Sequence, residues 1–215
     1  MRTGLKMDSP SIIFEDNHLL VAYKPEGYLS QSDGTKAPDM LTYLKAYIKE
    51  KYHKPGNVYL GLVHRLDRNV SGIMVFARTS KCASRLSEQI RKGTFEKRYR
   101  ARVQGKLKGE GVLVNYLIKD ERANKTDVYD REVPGSKRCE LTYKAGDFDG
   151  KFTSVDIRLV TGRSHQIRAQ FAHIGHPLEG DVKYGGPKSD RGIGLMSCYL
   201  SFDHPTSGER LEFSI

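Results

Sequence analysis

The chain has 215 residues, 38% of them hydrophobic and 9% aromatic, with twelve Tyr and no Trp, enough apolar material for a real core and too much for a disordered polymer. Its 36 Lys and Arg against 26 Asp and Glu give a formal net charge of +10. That excess favours a polyanionic partner, because each neutralised phosphate releases condensed counterions. Cys82, Cys139 and Cys198 are odd in number and form no CxxC pair, which argues against a disulfide framework or a zinc site. Nowhere do eighteen apolar residues run together, and residues 1–10 carry no apolar run, so neither a membrane span nor a signal peptide is expected. A cytoplasmic protein, monomeric by default and without a metal, is the expectation.

In chain order, Ile12-Ile13-Phe14 and Leu19-Leu20-Val21-Ala22-Tyr23 read as a β-hairpin, closed by Lys24-Pro25-Glu26-Gly27. After a polar loop at 30–38, Asp39 is placed to cap a helix whose Leu41, Leu44 and Ile48 recur at three and four. A strand is predicted over 58–63, and 73–77 reads as a fully apolar strand from mid-sheet. Ser80 caps a second helix reaching about Lys92, with Leu86 and Ile90 on one face. From 94 to 104 the pattern alternates: Phe95, Lys97, Tyr99, Ala101 and Val103 share one face, and Glu96, Arg98, Arg100 and Arg102 the other. Further strands are expected at 111–119, 139–146, 152–160, 198–203 and 210–214, with 105–111 and 120–137 as polar connections. A short helix over 164–173 buries Ile167, Phe171 and Ile174. The class is α+β: a mixed, mostly antiparallel β-sheet core with a few flanking helices. Residues 1–11 read as an N-terminal extension and 12–215 as one catalytic domain.

Three polar clusters can carry chemistry. His64-Arg65-Leu66-Asp67-Arg68-Asn69-Val70-Ser71-Gly72 lies between two apolar strands, so rigid neighbours deliver it as a loop. Thr161-Gly162-Arg163-Ser164-His165-Gln166-Ile167-Arg168 sits at a strand end and helix start, and Lys97 to Arg102 contains Tyr99. Each has a plainer reading: structural histidines, local ion pairs worth about 0–1 kcal/mol when exposed, and a solvated strand face. Metal hydrolysis lacks its ligand spacing, Ser71 and Ser164 lack a nucleophile elbow, and Gly185-Gly186-Pro187 is no phosphate-loop or dinucleotide fingerprint.

As a set, these residues resemble the RluA family of pseudouridine synthases. His64-Arg65-Leu66-Asp67 with Ser71-Gly72 and the strand ending Phe76-Ala77 is similar to its first signature. The segment from Thr161 to Arg168, followed by His173-Ile174-Gly175-His176-Pro177-Leu178-Glu179-Gly180-Asp181, is similar to the second. Glu15-Asp16, Leu20-Val21, Lys24-Pro25-Glu26-Gly27, Lys97 with Tyr99, and Phe202-Asp203-His204-Pro205 add flanking matches over about residues 12–213. The chain departs from the pattern at Val70, where Thr is usual, and at Met196-Ser197, where relatives often carry His-Ala.

The resemblance implies a cofactor-free isomerase of uridine in structured RNA, ribosomal or transfer. The bond from ribose to nitrogen 1 breaks, the base turns, and it rejoins through carbon 5. Asp67 is then the catalytic carboxylate. Arg168 is the guanidinium that holds the acid ionised, with Ser164, Ile167 and Phe171 fixing its direction. Tyr99 is the aromatic platform under the base. Arg65 fills the stack left by an extruded uridine. His64 supports the loop or touches phosphate, and Arg163, His165, Lys97, Arg98 and Arg100 contribute RNA contacts. From 91 to 108 the sequence holds eight Lys or Arg and one Glu, an electrostatic track for phosphates. The rival classes are a non-catalytic RNA-binding protein or RNA chaperone on the same scaffold, which has no need of both Asp67 and Arg168, and a nucleosidase, which would release free uracil.

Overall fold

Eleven strands, three α-helices and one 3-10 turn make up the computed structural model, which describes residues 9–215. Most of the expected N-terminal extension, residues 1–8, lies outside the described residues. The architecture is the mostly antiparallel sheet with a few helices that the apolar pattern predicts. Two compact units can be distinguished, one formed by the described residues up to Phe95 together with Ser197–Ile215, the other by Glu96–Met196.

In the first unit, β1 (Ser11–Glu15) pairs antiparallel with β2 (Leu19–Lys24), and β2 with β4 (Ser71–Ala77). β10 (Leu195–Asp203, of which Ser197 onward belongs here) lies beside β4 and pairs with β11 (Arg210–Ser214). Leu19, Val21, Ile73, Val75 and Ala77 pack with Cys82 and Leu86 of α2 (Ser80–Lys92) and with Phe95, Leu200 and Phe202. The alternate residues Leu20, Ala22, Met74 and Phe76 are just as deeply buried. Burial of both faces is why these strands read as continuous apolar runs rather than as alternation.

The first two helices begin where short polar side chains cap them. Asp39 accepts from the Thr42 amide at 2.9 Å to start α1 (Met40–Lys51). Met40, Leu44 and Ile48 are its buried residues, so the stripe starts one position earlier than the expected Leu41 and steps strictly by four. Thr79, not Ser80, caps α2, accepting from the Cys82 amide at 3.2 Å. The strand expected over 58–63 shrinks to β3, Gly61–Leu62, paired with the end of β4; Tyr59 stays half exposed, so little burial rewards pairing before it.

The second unit is an antiparallel sheet in the order β5-β9-β8-β6-β7. β5 (Glu96–Gln104) alternates as predicted: Lys97, Tyr99, Ala101 and Val103 are buried, while Arg98 and Arg100 are exposed. β6 (Glu110–Asp120) and β8 (Lys137–Phe148) extend the expected strands at both ends, and β9 (Phe152–Leu159) stops one residue short of its expected end. β7 (Lys125–Tyr129) lies inside what reads as a polar connection. It folds back on β6 with Leu117 opposite Val128, after a turn in which Asp120 accepts from the amides of Arg122 and Ala123.

The last helix, α3, spans Gln166–His173, two residues shorter than expected at its start. Phe171 packs edge-on against Tyr143 of β8, ring centroids 5.6 Å apart. Ile167 is buried as predicted and Ile174 only half so. The free thiols of Cys82, Cys139 and Cys198 are all buried. Among the described residues no helix is long and apolar enough to cross a membrane, and no cluster of three His, Cys, Asp or Glu residues is placed to hold a metal.

Candidate active site

The loop that carries Asp67 is braced on both sides within the first unit. On one side Ser30 Oγ donates to the Leu66 carbonyl at 2.8 Å and accepts from its amide at 3.0 Å, and Leu66 is only 6% exposed. On the other side the Arg68 carbonyl accepts from the Gly27 amide at 2.9 Å and from Lys24 Nζ at 3.1 Å. Between these anchors Asp67 is half-buried, and its carbonyl accepts from the Val70 amide at 3.0 Å to close a turn. The side chains of Arg65 and Arg68 stand exposed.

His64 acts as a brace as well. Its Nε2 accepts from the Val75 amide at 3.1 Å, and its ring lies 5.7 Å from that of Phe95, which stacks on Phe202. A ring nitrogen accepting an amide proton carries none of its own, which places the neutral imidazole's proton on Nδ1. The loop ends at Gly72, whose φ of 129° brings it against the backbone of Ser197.

Lys24 is the residue of this loop system that the sequence hides. It is fully buried, and its ammonium donates to the carbonyls of Pro25 at 3.0 Å, Tyr28 at 2.6 Å and Arg68 at 3.1 Å. Burial pushes its pKa down to about 8, against the pull of the Asp67 and Glu26 carboxylates, which favour the charged form. The unfolded chain therefore holds this proton up to about pH 10.5 and the folded chain only to about 8. Between those values the unfolded state binds more protons, so the penalty of the buried charge is present in full below pH 8 and fades as pH rises. The native protein should gain up to about 3 kcal/mol of stability relative to Lys24→Met between pH 8 and 10.5, read from paired urea titrations.

In the second unit Tyr99 is 6% exposed, on the buried face of β5 beside Lys97. Arg98 and Arg100 project from the opposite face. Arg98 Nε lies 2.8 Å from Glu96 and Arg100 Nε 3.6 Å from Asp156. Strand alternation thus divides the predicted contacts of β5 into two sets on different faces.

Arg168 is 7% exposed and is held by Asp181, a residue quoted in the sequence signature without a role. Its Nε donates to Oδ2 and one terminal nitrogen to Oδ1, both at 2.7 Å, the two-pronged geometry of a guanidinium and a carboxylate. The guanidinium also lies 5.1 Å from the centroid of the Tyr184 ring. Asp181 and Tyr184 thus help to set its direction, beyond the neighbours Ser164, Ile167 and Phe171 of the expectation.

The phenol of Tyr184 accepts from the Thr126 amide at 2.8 Å and meets His165 Nδ1 at 2.9 Å, tying β7 to the start of α3. His165 itself takes the left-handed conformation, φ 52°, and offers α3 no side-chain cap. In place of a cap, Gln166 accepts from Thr161 Oγ1 at 2.8 Å and the Arg163 amide at 3.0 Å, and donates to the Glu140 carbonyl at 3.0 Å. That fixes the turn Thr161-Gly162-Arg163 on β8, with the Arg163 side chain exposed and its Nε on the Arg138 carbonyl at 3.2 Å.

Lys24 and Ser30 in the first unit, and Asp181 and Tyr184 in the second, are the supporting residues that sequence reasoning passed over. Two of them sat in quoted motifs, Lys24-Pro25-Glu26-Gly27 and Gly180-Asp181, which was the available signal.

Comparison with known proteins agrees with this architecture. Residues 18–173 match the model of the RNA pseudouridylate synthase family. An uncharacterized RNA pseudouridine synthase of Bacillus subtilis, YhcT, is 35% identical over 178 residues, covering 81% of this chain and 57% of that protein. Ribosomal large subunit pseudouridine synthase C of Vibrio parahaemolyticus is 31% identical over 212 residues, covering 94% of this chain and 64% of its own length. Among solved structures, human RNA pseudouridylate synthase domain containing 4 superposes with a TM-score of 0.77 at 20% identity, over 95% of this chain and 87% of the other, a likeness of fold. The chain belongs to the RNA pseudouridylate synthase family, in agreement with the RluA-family resemblance of its motifs. It spans 57% and 64% of the length of these two curated relatives.

Proposed function

We propose that this protein isomerises uridine to pseudouridine in structured RNA, ribosomal or transfer, with Asp67 as its catalytic carboxylate. The observation that carries the reading is the bracing of Asp67: a half-buried acid on a loop clamped by Ser30 at Leu66 and by Lys24 and Gly27 at Arg68. A merely solubilising aspartate needs no such support, whereas a group that must meet one atom of a substrate does. Family membership and the basic charge support RNA as the partner class.

In this reading Asp67 supplies the negative charge that assists cleavage of the bond between ribose and nitrogen 1. The uracil is retained, turns, and rejoins through carbon 5; carbon 5 then gives up its proton and nitrogen 1 takes one up, so the composition is unchanged. No water is activated, which is why one carboxylate suffices where a glycosidase uses two. Tyr99 offers its ring to the base. Arg168, oriented by Asp181, supplies fixed positive charge. Arg65, exposed two residues before Asp67, occupies the stack that the extruded uridine vacates. His64, Lys97, Arg98, Arg100, Arg163 and His165 contact RNA. The basic faces of both units supply affinity that falls with salt.

The test is genetic. Pseudouridines are mapped across the total RNA of the source cell with the gene deleted, then restored as the native form or as Asp67→Ala. The reading expects at least one position to lose its pseudouridine on deletion and to regain it with the native form only. Restoration by Asp67→Ala, or an unchanged map on deletion, contradicts it.

A further inference from the structure

Every other deeply buried cation described above has its acceptor: Lys24 has three carbonyls and Arg168 has Asp181. Lys97 does not. It is 9% exposed, and among the described residues it makes no hydrogen bond or ion pair. Burial lowers its pKa with no carboxylate to oppose the effect. An ammonium largely screened from water and without a protein acceptor is costly, and β5 could fill the same space with an apolar side chain of equal length.

The space beside the ammonium points to what it awaits. A Cβ added at Gly162 would lie 3.0 Å from Lys97 Nζ, and Gly162 is exposed. With no side chain at Gly162, the ammonium is open on that side to an approach from solvent. The turn is rigid, since Gln166 holds Thr161 and Arg163 on either side of Gly162, and the Arg163 side chain is exposed next to it. Tyr99 lies two residues along the same face of β5, about 7 Å away along the strand. That is the separation, one sugar long, between a nucleobase and its own phosphate.

We propose that Lys97 and the Gly162 turn form a subsite for a phosphate of the target nucleotide, the one whose base lies on Tyr99. The proposal rests on the reading of Tyr99 as the base platform. A rigid turn with no Cβ lets a phosphate oxygen reach the ammonium, and the arriving charge supplies the acceptor that the protein lacks. The subsite selects for a nucleotide over a nucleoside and fixes the sugar relative to the base.

The experiment titrates the full chain with uridine, uridine 5′-monophosphate, uridine 3′-monophosphate and inorganic phosphate, following the Lys97 side-chain resonances by NMR. At least one monophosphate should bind about tenfold more tightly than uridine and shift those resonances. Lys97→Met, which replaces the ammonium with an apolar chain of equal length and should melt no lower than the native protein, should bring that monophosphate to the level of uridine. Gly162→Ala, at an exposed position without positive φ, should do the same and gives the answer if Lys97→Met fails to fold. Monophosphates binding no better than uridine, or an advantage that persists in either folded variant, overturns the proposal. Isomerisation by a native protein with no phosphate preference would remove the subsite and leave the enzyme. A phosphate preference without isomerisation would do the reverse.

Discussion

Asp181→Ala is expected to destabilise the protein by roughly 3–5 kcal/mol, because it removes one partner of a buried two-pronged ion pair whose guanidinium, on Arg168, is 7% exposed. The loss should appear as a lower urea midpoint with little change in slope. Isomerisation should fall further than unfolding accounts for, since Arg168 would no longer be held in one direction. The pair itself is not a large net source of stability, because desolvating both charges offsets most of their attraction. The double variant Arg168→Met with Asp181→Leu should therefore recover most of the lost stability while remaining inactive. Recovery of activity in the double variant would show that the pair is scaffold alone.

Gly72→Ala should cost roughly 2–5 kcal/mol, combining backbone strain with overpacking. Its φ of 129° is a conformation that side-chain-bearing residues rarely adopt, and the added Cβ would run into the Ser197 backbone. No flexible side chain stands there to give way; the obstacle is main chain. Because Gly72 joins the Asp67 loop to β4, the strain falls where the acid is anchored. Thermal melting with a parallel activity assay should show both fall together. A melting temperature within a degree of native would mean that β4 and Ser197 part more easily than their packing suggests.

The readable parts of the fold were those set by local periodicity. The doubly buried strands β2 and β4 announce themselves as unbroken apolar runs, and β5 as alternation, because burial on two faces or on one leaves those two patterns. The caps at Asp39 and Thr79 are local chemistry, legible to within a residue. β7 was not legible. Of its five residues only Thr126 is fully buried, and it is held by hairpin pairing to β6 and by the Tyr184 hydroxyl, 58 positions away.

The candidate site follows the same division. Asp67, Arg168 and Tyr99 stood out through motifs, whereas what holds two of them did not. Asp181 lies thirteen residues from Arg168, across the connection beyond α3, and no spacing rule pairs them. Lys24 was passed over because lysines are among the least buried residues. Its three carbonyl acceptors are made by the turn it closes and by a loop 44 residues distant. Partners contributed from afar by backbone leave no trace in a pattern of side chains.

The central claim is that the braced carboxylate of Asp67 drives isomerisation, and the most direct measurement is tritium release from RNA labelled at carbon 5 of uridine. The native protein should release tritium while leaving the RNA's mass otherwise unchanged and freeing no uracil. Asp67→Asn, of nearly the same shape and with a melting temperature close to native, should release it at least about 10³-fold more slowly. Release at the native rate by folded Asp67→Asn, or no release by the native protein from any of the cell's structured RNAs, would contradict the account.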